Sequence, residues 1–103
     1  MILDEIRTLL STSAVGDGAL TLARIEDTLT AGYARALELE AEQRSLQRRL
    51  ADAATELSGD ASGQRISDLT NVARRLKATD TDLAELRGLL GPLSDRAARL
   101  RAA

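Results

Sequence analysis

Ser58-Gly59-Asp60-Ala61-Ser62-Gly63 decides the fold: this run of turn formers separates two long ladders of apolar residues and is poorly suited to continue a helix. Before it, Leu22, Ile25, Leu29, Gly32, Ala36, Leu39, Gln43, Leu46, Leu50, Ala53 and Leu57 recur at alternating spacings of three and four. After it, Leu69, Val72, Leu76, Thr79, Leu83, Leu86, Leu90, Leu93, Ala97 and Leu100 repeat the same alternation. That spacing is the heptad pattern of helices packed along a common seam. The chain is therefore expected to be all-α, an antiparallel, coiled-coil-like helical hairpin.

Folding the second ladder back on the first, with paired residue numbers summing to 122, matches core positions throughout. Small residues then meet large ones, Gly32 with Leu90, Ala36 with Leu86, Ala53 with Leu69 and Ala97 with Ile25. Such alternation lets facing helices fill space without voids. Gln43 falls opposite Thr79, and a hydrogen bond between these two polar seam residues is the expectation.

At the amino terminus, Ile2, Leu3, Ile6, Leu9 and Leu10 form an apolar stripe at helical spacing, which predicts a short helix over about 2–12. Ser11 to Ser13 and Gly16-Asp17-Gly18 then supply turn and capping residues. A helix this short is marginal alone and must dock, either on its own hairpin in a three-helix arrangement or as an arm on another molecule. One all-helical domain over 1–103 follows, with long helices over about 19–57 and 64–101 and the turn at 58–63. Gly59 is placed to cap the first long helix.

The second long helix has two weak points. Poor helix formers cluster at Ala78-Thr79-Asp80-Thr81-Asp82, where Asp82 and Glu85 imitate a capping box. At Gly91-Pro92, proline removes a backbone donor and crowds the carbonyl of Gly88, so Pro92 would either kink the helix or open a separate final one. In the 122 register this level faces Gly32 and Tyr33, the sole aromatic residue, and a recess there would suit a partner's side chain.

Composition narrows the function. The chain has 103 residues, 29% of them charged, and a net charge of −2 with both signs interspersed, which gives no broad attraction to phosphate backbones or anionic lipids. Arg96, Arg99 and Arg101 suit the negative end of the last helix better than they suit a nucleic acid. With neither His nor Cys, the chain lacks the commonest general base, the thiol nucleophile and most transition-metal ligands. No catalytic residue, metal ligand, cofactor or small molecule is expected. The near absence of aromatics argues against a deep pocket for a flat organic ligand. MILDEIRTLL lacks the cationic and apolar regions of a secretory signal, and no run approaches the roughly 18 apolar residues that cross a bilayer. A cytoplasmic location is the expectation, with signal-less export the alternative route. Arg outnumbers Lys thirteen to one, as in proteins of GC-rich bacterial genomes.

Two Leu-rich helices bury little by themselves, and apolar residues beside the seam, Ala54, Ile66, Ala73 and Leu89, would extend the sticky surface. The expectation is a non-enzymatic protein–protein interaction module, an adaptor, assembly factor or small chaperone. Its partner would be a second copy, completing a helical bundle by dimerising, or another helical protein. Candidate partner-binding residues are Ile2, Ile6, Leu9, Leu10, Tyr33, Gly88 and Pro92.

In its length near 100 residues and its helical hairpin, the chain resembles the WXG100 family. That resemblance implies a small secreted protein of a specialised bacterial secretion system. The sequence departs from the family's pattern in having no Trp, hence no Trp-x-Gly turn, and in placing its only Tyr at position 33 rather than near the carboxy terminus.

Overall fold

The heptad segments form the helices that their periodicity predicts. In a computed structural model describing residues 1–11, 18–59 and 62–103, with backbone alone for 18–20, three helices follow in order. They are α1 (Ile2–Ser11), α2 (Gly18–Gly59) and α3 (Gly63–Ala102). The fold is all-α, with α2 and α3 forming an antiparallel hairpin. The expected turns at 12–17 and at Asp60-Ala61 lie outside the described residues.

Local chemistry sets the helix ends. Asp4 and Glu5 stand in the first turn of α1, where carboxylates complement the positive end of the helix dipole. Ser62 caps α3: its Oγ accepts a hydrogen bond from the Arg65 backbone amide at 3.3 Å, and its carbonyl accepts one from the Ile66 amide at 3.1 Å. Gly59 is the last residue within α2 and not a cap beyond it.

α3 runs without interruption through 79–82 and through Pro92. At 79–82 the seam explains why: Thr79 is buried at 5% exposure and Leu83 is buried beside it, so packing outweighs weak local propensity. Pro92 costs the Gly88 carbonyl its helical donor, yet Gly88 and Pro92 are both exposed, which leaves that carbonyl open to solvent.

Two compact units divide the chain, residues 1–37 with 84–103, and residues 38–83. The first is a three-helix unit. Its core is Ile6 and Leu9 of α1, Ile25, Leu29 and Ala36 of α2, and Leu86, Leu90, Leu93 and Ala97 of α3. The 122 register is visible in it: a Cβ built on Gly32 would lie 2.6 Å from Leu90 Cδ2 and 3.6 Å from Ile6 Cδ1. Glycine in a helix interior costs roughly 1 kcal/mol relative to alanine, and here the missing side chain is what admits Leu90 and Ile6.

The second unit is the hairpin of 38–59 against 63–83. Leu39, Leu46, Val72, Thr79 and Leu83 are buried, while Leu50, Ala53, Leu57, Leu69 and Leu76 are half-buried. Glu42 and Arg75 pair across this hairpin at 3.2 Å, and Glu56 near the end of α2 pairs with Arg65 near the start of α3 at 2.7 Å. Gln43 does not bond to Thr79. Its Nε2 donates instead to Asp80 Oδ1 at 2.6 Å, because Asp80 reaches the solvent-facing edge of the seam where a half-buried amide can meet it.

Candidate interaction surface

α1 docks within its own chain. Ile6 is fully buried, and Leu9 is buried beside it on the same helical face. The short helix lies along α2 at Arg24, Asp27 and Thr28, where a shallow groove also takes in Asp4, Glu5 and Thr8. On α3 its Arg7 approaches Glu85 at 3.5 Å. The strongest polar tie comes from Arg96, whose Nη1 donates to the carbonyls of Leu9 at 2.6 Å and Leu10 at 2.9 Å.

Those two carbonyls belong to the last turn of α1, where no intrahelical donor exists. α1 has no basic residue of its own in that turn. Arg96 thus supplies from α3 both the missing hydrogen bonds and the positive charge that a helix carboxy terminus favours. Sequence reasoning assigned Arg96 to the dipole of its own helix; the contact is to the end of a different one. Arg101 likewise turns to a neighbour, pairing with Glu26 at 3.1 Å.

The residues singled out as partner-binding are not gathered into one patch. Ile6 and Leu9 are buried, Ile2 and Leu10 are half-buried, and Tyr33, Gly88 and Pro92 are exposed. Gly88 and Gly91 have open space where a side chain would stand. Tyr33, 50% exposed, is joined one turn later on the same helix face by Leu37 at 65%. Leu37 went unnoticed in the sequence, although a large apolar residue lying outside the heptad seam was the signal for it.

The hairpin unit has two unlike flanks. One flank carries Arg49, Asp52, Glu56, Asp68 and Arg75, which line a shallow charged groove together with Ala53, Asn71 and Val72. The other flank, set by heptad spacing on the opposite edge of the seam, carries Ala54, Ala73 and Ile66, all exposed, with Ile66 at 49%. Behind these lie the half-buried leucines 50, 57, 69 and 76. The hydroxyls of Ser58 and Thr70 bond back to the carbonyls of Ala54 and Ile66, at 3.3 and 2.9 Å, and so ask little of a neighbour.

Among the described residues no group of His, Cys, Asp or Glu could hold a metal ion, and no helix is long and apolar enough to cross a membrane. No protein-family model, curated protein or solved structure matches this chain.

Proposed function

We propose that this chain is a non-enzymatic protein–protein interaction module of the adaptor, assembly-factor or small-chaperone kind, working through its helical hairpin. The observation that carries the reading is the half-covered leucine seam toward the Gly59 end of α2 and the Gly63 end of α3, Leu50, Leu57, Leu69 and Leu76, with Ile66 exposed beside it. Two helices can cover only one face of such a seam, and a further helix laid against it would remove the rest from water at roughly 25 cal/mol per Å². Tyr33 and Leu37 offer a second apolar foothold of the kind enriched in interfaces.

The test is a photo-crosslinking amino acid introduced at 33, 37 or 66 in the source cell. A discrete protein adduct from at least one of these positions, with none from exposed Arg99, is the expected result. Absence of an adduct from all three would defeat the reading.

Export by a specialised secretion system is the second reading. It is favoured by α2 and α3 having nearly equal lengths, 42 and 40 residues. Detecting the chain in culture medium without cell lysis would support it, and strictly cell-associated protein would exclude it.

A further inference from the structure

We infer that the partner covering the half-open flank of the hairpin unit is an acidic amphipathic helix, with its apolar stripe on the leucine seam and its carboxylates over Arg44 and Lys77. This rests on the interaction reading above and names the partner's chemistry. Along the flank Ala54 stands level with Ile66 and exposed Gln47 with Ala73, while the half-buried Leu50, Leu57, Leu69 and Leu76 form the seam beside them. Its outer rims follow the next row of heptad positions, Arg44, Ala51 and Ser58 on α2 and Gly63, Thr70 and Lys77 on α3.

Arg44 and Lys77 fall within one residue of level when paired numbers sum to 122, so each rim carries a cation at the same height. Both are exposed, and neither makes an ion pair or hydrogen bond among the described residues. From that level to the Gly59 and Gly63 ends of the helices, the described residues of these rows include no other charge. The facing stretches 43–51 and 69–79 hold Arg44, Arg48, Arg49, Arg74, Arg75 and Lys77 and not one carboxylate. The nearby acids lie elsewhere. Asp52, Glu56 and Asp68 line the charged groove of the opposite edge. Glu40 and Asp80 close the flank beyond the two cations, and each is already engaged, Asp80 by Gln43.

Charge selects the occupant. Covering the leucines takes water away from Arg44 and Lys77, and in that lower dielectric an opposing carboxylate gains while another cation is repelled. The flank of a second copy brings more cations and no carboxylate of its own. α1 of a second copy is not free to serve, because Ile6 and Leu9 are buried within their own chain. A phosphate backbone would match the cations but leave Ile66, 49% exposed, in water, and the flank has no aromatic side chain on which bases could stack. An amphipathic helix meets both demands, and since 63–77 rises about 21 Å along α3, about four turns of it span the flank. α1 shows the same mode in the three-helix unit, with an apolar stripe on the seam and polar ties to Arg96 and Glu85.

Fluorescence anisotropy on the purified chain tests this with two synthetic probes: a leucine-striped helical peptide of about four turns flanked by glutamates, and its twin with lysines in their place. The glutamate peptide is expected to bind about tenfold more tightly at low salt, a gap that narrows as salt rises. Arg44→Glu combined with Lys77→Glu should reverse the preference. Ile66→Ser should weaken both peptides with helicity and melting unchanged, as befits an exposed side chain, and Arg99→Glu, exposed in the other unit, should alter neither. Equal affinities, no binding of either peptide, a preference that outlives the double reversal, or an oligonucleotide bound as tightly as the glutamate peptide overturns the inference. Any of these alongside a protein adduct from position 66 leaves the interaction reading standing; no adduct from 33, 37 or 66 removes both.

Discussion

The unit that holds α1 and the unit of residues 38–83 are built from the same two helices with the same heptad spacing, and they differ in how far the seam is closed. In the three-helix unit, seam residues from Ile25 to Ala36 and from Leu86 to Ala97 are all buried, and only Leu22 and Leu100 at the ends are half-covered. In the hairpin unit, Leu50, Ala53, Leu57, Leu69 and Leu76 remain half-exposed. The pattern of apolar residues does not account for this difference, because it is equally regular in both. A third helix does: ten residues of α1 supply the cover that two helices cannot give each other. The lesson is that a perfect heptad seam describes where two helices meet, and how dry that meeting becomes depends on what else is laid against it.

The comparison can be broken first at its strongest point. Leu39 is buried in the hairpin unit, and Leu39→Asp would place a charge in that dry layer; cooperative unfolding followed by circular dichroism should disappear, a loss exceeding ~4 kcal/mol. Next, the two units should answer the same truncation unequally. Leu93→Ala in the three-helix unit should cost about 3 kcal/mol by denaturant unfolding, against about 1 kcal/mol for Leu57→Ala in the half-covered hairpin. Equal costs would mean that α1 adds no dryness to the unit it covers.

Gly32→Leu should then destabilise by about 2 kcal/mol, since its side chain would collide with Leu90 and displace Ile6. Hydrogen exchange should show the amides of α1 losing protection while those of 38–83 keep it. A milder version of the same effect follows from Arg96→Ala, which strips the Leu9 and Leu10 carbonyls of their donor; about 1 kcal/mol is expected, again confined to α1 exchange. Uniformly faster exchange in both units would contradict a local role for Arg96. Smallest of all, Gln43→Leu should change the melting temperature little or raise it. The bond to Asp80 lies at the solvent edge of the seam, and an added apolar side chain there recovers what the bond contributed.

Much of this architecture could be read from the sequence, and the reason differs from element to element. The seam was legible because burial on a helix recurs every three or four residues, a local property that needs no knowledge of the partner. The opening of α3 at Ser62–Gly63 was legible for the same reason, as a cap acts within one turn. Arg96 was not, since its acceptors lie 87 and 86 residues away and an arginine near a chain end has a ready local explanation. Gln43 was half legible: its polar character at a seam position predicted a cross-helix partner, but Asp80 and Thr79 are adjacent and only side-chain placement chooses between them.

The interaction surface divides in the same way. Ile66, Ala54 and Ala73 could be picked out beside the seam, whereas the exposure that makes Ile66 and the Tyr33–Leu37 pair available required coordinates. Ile6 and Leu9 looked equally available in the sequence, and they are buried within their own chain.

By itself, then, the sequence determined three helices and the heptad register, because periodicity and caps act over a few residues. Tertiary structure alone decided that α1 packs on its own chain and that Arg96 completes the end of α1. These outcomes rest on contacts between distant residues, whose free energies outweigh the local preferences that a sequence displays.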